Sequence, residues 1–223
     1  MATTSEQAIV QHVLEAISDY RLKAGTKLGE QALSDIFSCN RANVRRALII
    51  LSARKVVELR PNRGAFVAMP TPEEARDVFQ ARRAIEKTIV RSVTRNAAPR
   101  HIARLRDNIA RDRAARSSGN RRDAIRLSGE FHLILGEAGG NIVLAGFLRE
   151  LVLRSSLIIG LYASADAPLC EEHDHCAIVD AIDGGDEAGA SDLIDAHLRH
   201  IEASVRFEKE SKPEDLHAIL AVR

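Results

Sequence analysis

Residues 33–51, LSDIFSCNRANVRRALIIL, restrict the possible folds more than any other stretch of this chain. They read as two short helices joined by a tight turn. Leu33 and Ile36 bury one face of the first helix. Ser38-Cys39-Asn40 makes the turn, and Asn40 is placed to cap the second helix, its side-chain oxygen accepting from a first-turn amide. From Arg41 onward, Val44, Leu48 and Leu51 fall at i, i+4 and i+7 and face inward. The outward side carries Arg41, Asn43, Arg45 and Arg46 in the first turn and a half. Two readings fit: an ordinary helix pair with a solvated basic face, or a helix-turn-helix. In the second, the N-terminal residues of the second helix reach bases and phosphates. Arginine can grip guanine bidentately, and asparagine can do the same with adenine.

The flanking residues favour a winged helix. Ser5 is placed to cap a first helix with Ile9, Val13, Leu14 and Ile17 on its inner face. Residues 23–28 read as a turn, and Glu30 opens the next helix. After Arg54-Lys55, the β-branched run from Val56 to Arg60 predicts a strand. Pro61-Asn62-Arg63-Gly64 is a turn, and a second strand runs from Ala65 to Ala68. Three helices and a two-stranded hairpin result. Arg63-Gly64 at the hairpin tip is either a plain exposed turn or a minor-groove contact, where glycine allows close backbone approach.

The net charge of +1 hides an asymmetry. Residues 1–70 hold ten Lys and Arg against six Asp and Glu, and the remainder holds 22 against 25. A basic front and a mildly acidic remainder suit a nucleic-acid reader joined to a second module. The chain shows no signal peptide and no apolar run long enough to span a bilayer, so no membrane role is expected. Cys39, Cys170 and Cys176 form no CxxC motif and suggest no disulfide framework. The expected compartment is the cytoplasm.

Beyond the linker Met69-Pro70-Thr71-Pro72 the chain reads as helix throughout. Thr71 caps, Pro72 suits the first helical position, and Glu74 completes a capping box. Six helices are expected: 72–96, 99–117, 121–138, one from 141, one containing His175, and a last one over 186–209. The predicted fold class is therefore mainly α. An N-terminal winged helix-turn-helix domain (1–70) precedes an all-helical antiparallel bundle (71–223).

Three histidines of this second part, His132, His175 and His197, each lie on the apolar face of a different helix. One such histidine is usually a hydrogen-bonded core residue. Three can instead converge on a divalent metal (Zn, Ni, Fe or Mn) and leave positions open for a ligand. Spacing alone leaves both readings open.

The chain resembles a known family over nearly its whole length. Residues 9–67 look like the DNA-binding domain of GntR-family bacterial transcription regulators, through Gly25, Leu28, Glu30, Leu33, Ser34, Arg41, Val44-Arg45, Ala47-Leu48, Leu51, Arg63-Gly64 and Val67. The resemblance implies that Arg41 and Arg45 contact DNA, supported by Gln31 and by the wing at Arg63 and Gly64. Arg46 stands where the family carries an acidic residue, and Asn43 where it carries proline or threonine. Residues 71–210 are similar to the helical FCD-type ligand-binding domain of the FadR branch. The similarity rests on residues 78–86, Glu130-Phe131-His132, Gly140-Asn141, residues 175–182 and Ala196-His197-Leu198. It implies a divalent metal held by His132, His175 and His197. The aspartate that usually lies four residues before the first histidine falls on Ser128, a weaker ligand, with His200 as a substitute sharing the face of His197. Arg82 and Arg154 are the candidate partners for an effector.

The expected function is thus a DNA-binding transcription regulator of the repressor type, not an enzyme. A homodimer would read a palindromic double-stranded operator under the control of a small carboxylate metabolite bound at or near the metal. The alternatives are a regulator for which the ion itself is the signal, a helical-bundle metalloenzyme, and a member that keeps the fold without an effector.

Overall fold

The computed structural model describes residues 5–96, 98–162 and 172–205. Among these, α1 (Ser5–Ser18), α2 (Glu30–Ile36) and α3 (Arg41–Ala53) form a helical layer. Against it lies a small antiparallel sheet of β1 (Lys27–Leu28), β2 (Val57–Arg60) and β3 (Gly64–Val67), in the order β1-β3-β2. The expected two-stranded hairpin is corrected to three strands. Lys27 and Leu28 read as part of a turn, yet they pair with Phe66 and Ala65. Two residues carry no period-2 signal, so this strand exists only because β3 offers it an edge.

The predicted turn chemistry appears in place. Asn40 accepts a hydrogen bond from the Asn43 amide at 2.9 Å. Ser38 supplies the left-handed backbone of the turn at φ 46°. Ile9, Val13, Ile17, Leu33, Val44, Leu48 and Leu51 pack into one core with Val57, Ala65 and Val67 of the sheet. Gly64 has φ 94° at the wing tip, where a side chain would be strained.

The second part comprises α4 (Pro72–Asn96), α5 (Pro99–Ser117), α6 (Arg121–Ala138), α7 (Ile142–Tyr162), α8 (Glu172–Asp183) and α9 (Glu187–Ala203). The capping box of α4 is reciprocal. The Thr71 amide donates to Glu74 at 2.9 Å, and the Glu74 amide donates to Thr71 Oγ1 at 3.2 Å. Val78, Phe79, Ile89, Leu105, Phe131, Leu135, Leu148, Ile178, Ile194 and Leu198 build the bundle core. The last helix ends at Ala203 with Ser204 as its C-cap, short of the Lys209 expected from the apolar spacing; the tail from residue 206 and Cys170 lie outside the described residues.

α7 belongs to both cores. Val152 and Ile158 pack in the bundle, while Leu153 and Leu157 pack into the winged-helix core. Gly160 lets the two parts approach: a Cβ there would stand 2.6 Å from Tyr20 Cδ1. The Tyr162 hydroxyl donates to the linker carbonyl of Pro70 at 2.7 Å.

Candidate functional site

The first site is the exposed side of α2, α3 and the wing. Arg41, Arg45 and Arg46 project from the first turns of α3 and are exposed, while Val44, Ala47, Leu48 and Leu51 hold the helix from behind. Each arginine has an intramolecular partner. Arg41 donates to Gln31 Oε1 at 3.2 Å, and Arg45 donates to both oxygens of Glu30 at 2.9 Å. Arg46 meets Glu6 at 2.6 Å and the side chain of Asn43. At the wing, Arg63 and Gly64 are exposed, and the neighbouring Arg60 stacks over Phe66 at 4.5 Å. All seven residues named from sequence on this side therefore lie on α2, α3 or the wing. Gln31, Glu30 and the arginines form a partnered polar surface.

The second site lies inside the bundle. α6, α8 and α9 bring His132, His175 and His197 together, each no more than 2% exposed. Their ligand nitrogens all lie within 4.8 Å of one another. His175 Nε2 is 3.2 Å from His197 Nε2, which is 3.4 Å from His132 Nε2. Phe131 stacks on His175 with ring centroids 3.9 Å apart and fixes the plane of that imidazole.

Two carboxylates orient the outer nitrogens. Glu86 Oε2 lies 2.5 Å from His132 Nδ1, and Asp174 Oδ2 lies 3.1 Å from His197 Nδ1. Glu86 is fully buried and is held in turn by Arg82 Nε at 2.8 Å. Arg82 Nη1 donates to Ser155 Oγ on α7 at 2.9 Å. The remaining Arg82 Nη2 is buried without a hydrogen-bond partner among the described residues.

The electrostatics follow from this packing. Burial opposes ionisation of Glu86, but the Arg82 guanidinium and His132 outweigh it and bring its pKa down to about 2. Burial dominates at His132 and pushes it down to about 4, against the pull of Glu86. His175 is driven well below the usual imidazole range by burial and by the other two histidines. Asp174 is lowered chiefly by its hydrogen bond to His197. At neutral pH His132 is therefore neutral and donates Nδ1–H to the ionised Glu86. Its Nε2 lone pair then points into the cluster. A His197 tautomer donating to Asp174 does the same. In these tautomers the two lone pairs 3.4 Å apart make no hydrogen bond with each other, and His197 Nε2 can accept from a His175 Nε2–H at 3.2 Å or, with His132 Nε2, face a cation.

Arg82, a candidate effector partner from sequence, lies beside the cluster and reaches it through Glu86. Arg154 does not; it lines a separate cavity between the wing and α7. Ser128 is half-buried one helical turn before His132. His200 fails as a substitute ligand: its side chain is 73% exposed and lies 3.6 Å from Asp174, on the solvent side. The sequence reading missed Glu86 and Asp174 as participants. Glu86 was open to detection, because residues 82, 86, 89 and 93 form one inward stripe of α4 and an Arg–Glu pair sits in it. Asp174 precedes His175 directly, and no periodicity distinguishes it.

A winged helix joined to a helical bundle with a buried polar cluster defines a two-part DNA-binding regulator. The family models agree. Residues 5–67 match the model described as bacterial regulatory proteins, gntR family, and residues 77–200 match the FCD domain. The chain belongs to the FCD-containing, FadR-like branch of the GntR family, whose members are transcription regulators and not enzymes. It is 25% identical over 193 residues to the HTH-type transcriptional repressor RspR of Escherichia coli, covering 82% of this chain and 80% of that protein. It is 28% identical over 198 residues to the HTH-type transcriptional repressor NanR of Cronobacter sakazakii, covering 78% and 75%. The solved structure of E. coli McbR/YncC has the same fold, with a TM-score of 0.80, 16% identity and coverage of 91% and 97%. No described helix is long and apolar enough to cross a membrane.

Proposed function

We propose that this protein is a transcriptional repressor that releases or engages its operator in response to a small carboxylate bound at a divalent metal site. The observation that carries the reading is the convergence of three imidazole Nε2 atoms, with the outer nitrogens of His132 and His197 held by a buried and a half-buried carboxylate. Two nitrogens bound to one ion at about 2.0–2.1 Å in tetrahedral geometry lie roughly 3.3–3.4 Å apart, which fits the 3.2 and 3.4 Å separations. His132, His175 and His197 would hold the ion, and the ion would offer open positions to a carboxylate. Ser128 contributes at most a weak hydroxyl ligand, which leaves the ion short of one anionic donor and favours an exogenous one. Arg82 Nη2, buried and unpartnered, suits the same carboxylate.

On the DNA side, Arg41, Asn43, Arg45, Arg46 and Gln31 read the major groove, and Arg63 with Gly64 reaches the minor groove. The functional division falls at the linker, with 1–70 as the DNA-binding part and 71–223 as the effector and dimerisation part. The working form is a cytoplasmic homodimer on a palindromic operator. Its support is the exposed apolar run of Ile142, Val143 and Phe147 at 85%, 61% and 59% exposure on the first turns of α7, a surface a second copy would cover. The repressor assignment is supported by the names of RspR and NanR.

The test is the metal content of protein purified without chelator or affinity tag, beside His132→Ala and Ser128→Asp. Near one divalent ion per chain, lost in His132→Ala, is expected. Metal in Ser128→Asp but none in the wild type would overturn the metal part of the reading. Operator binding that follows Zn²⁺ or Ni²⁺ alone, without organic ligand, would make the ion itself the signal.

A further inference from the structure

Arg154 stands apart from the other arginines. Seven arginines with described side chains are half-buried, and six of them, Arg21, Arg54, Arg60, Arg83, Arg116 and Arg126, have a carboxylate within 4.0 Å. Arg154 has no hydrogen bond or ion pair among the described residues. A half-buried guanidinium without an acceptor is partly desolvated for no return.

Its surroundings form a cavity of about 530 Å³ between the wing, the linker and the first turn of α4. That volume lies in the usual range for small-molecule sites. Lys55 enters the same wall from the end of α3 and is likewise without a described partner. The two acids of the wall are engaged elsewhere: Glu58 binds Arg60 at 2.8 Å, and Glu74 accepts from the Thr71 amide at 2.9 Å. Arg60 offsets the charge of Glu58, the Glu74 carboxylate is turned back onto the Thr71 amide, and the two side chains of the wall without a described partner, Arg154 and Lys55, are both cationic. The rest of the wall is largely apolar, with Val57, Leu59, Met69 and Pro70. Leu59 is 46% exposed, one of few large apolar side chains left so open.

We propose that this junction cavity binds a small organic anion with an apolar body, its carboxylate or phosphate held by Arg154 and Lys55. The site is separate from the histidine cluster. An anion seated there would tie β2 and the linker to α7, the helix that carries side chains of both cores, and so bias the placement of the DNA-reading part.

Met69 makes the test specific, because Met1 is the only other methionine in the sequence. Full-length protein labelled with ¹³C-methyl methionine would be titrated with hexanoate, phenyl phosphate and, as a neutral control, 1-hexanol. The Met69 signal is assigned by its loss in Met69→Leu. Saturable movement of the Met69 signal with at least one of the two anions, and much weaker movement with hexanol, is expected. The stronger of the two anions identifies the head group. Arg154→Gln should weaken binding by at least about tenfold, the loss of one charge-assisted contact. Arg154→Lys should fall between, and His132→Gln should leave the titration unchanged. Hexanol matching the anions, no saturable movement with either anion, or an Arg154→Gln protein that is folded and titrates like the wild type would each overturn the proposal.

Discussion

Two arginine–glutamate pairs of nearly equal length show how differently the two halves of this protein use the same chemistry. Arg45 and Glu30 meet at 2.9 Å on the winged helix, with side chains 64% and 36% exposed. Arg82 and Glu86 meet at 2.8 Å in the bundle, 3% and 0% exposed. Water competes for the first pair and side-chain entropy opposes it, so its net contribution is small and it can be exchanged for a DNA phosphate or base. The second pair has left water behind. Its members cannot part without leaving a buried charge alone, so it serves as a rigid scaffold for His132 and, through Ser155, for α7. The exposed pair is suited to being broken in function, and the buried pair to holding a site still.

The largest expected effect breaks the buried pair. Glu86→Ala strands Arg82 and frees His132, and should cost about 3–5 kcal/mol of stability, read as a lower midpoint in urea. A loss below about 1 kcal/mol would mean that water reaches the pair and that the contrast is weaker than drawn.

Acid should probe the same region next. In chelator-treated protein the folded pKa of His132 is about 4 against about 6.5 unfolded, and that of Glu86 is about 2 against about 4.5. Both folded values are depressed, so in each window the unfolded chain binds more protons and stability falls as the pH falls. The His132 contribution is lost between about pH 6.5 and 4, and the Glu86 contribution between about pH 4.5 and 2. Urea unfolding at pH 7 and pH 5 should differ by roughly 2 kcal/mol from His132 alone, and His132→Gln should remove that part.

The exposed pair is tested by opposite signs. Arg45→Ala should abolish specific operator binding in a gel-shift titration while leaving the thermal midpoint unchanged. Unaltered operator affinity would remove Arg45 from the reading surface. The smallest effect is expected for Glu30→Gln, which releases Arg45 without removing it. Operator affinity should rise severalfold, and its salt dependence should change little because the same phosphates are contacted. A fall in affinity would show that Glu30 positions Arg45 rather than competing with DNA for it.

Much of this was legible in the chain. The bounds of α4, α5 and α6 follow from Thr71-Pro72, Pro99, Asn120 and Gly139-Gly140, because caps and breakers act over one turn and are written locally. The apolar stripes placed His132, His175 and His197 inward on their own helices, and the cap at Asn40 set the start of α3. β1 was invisible because two residues have no pattern of their own. His200 shares a helix face with His197 along the chain but lies on the solvent side of Asp174, because its position on α9 alone does not show where α8 closes the cluster. Arg154 faces the junction cavity and not the histidine cluster because α7 is shared between two cores. One helix face cannot tell which core each of its turns will meet.

The sequence by itself determined the bounds of α4, α5 and α6, the apolar face of each helix, and that His132, His175 and His197 turn inward, since these depend on neighbours three or four positions away. Only the tertiary structure decided that three nitrogens from α6, α8 and α9 point at one another, that Glu86 of α4 and Asp174 of α8 hold the far nitrogens of two of these rings, and that Arg82 lies beside the cluster while Arg154 lines the junction cavity. Those contacts join residues tens of positions apart, and their geometry depends on how the helices pack rather than on any repeat along the chain.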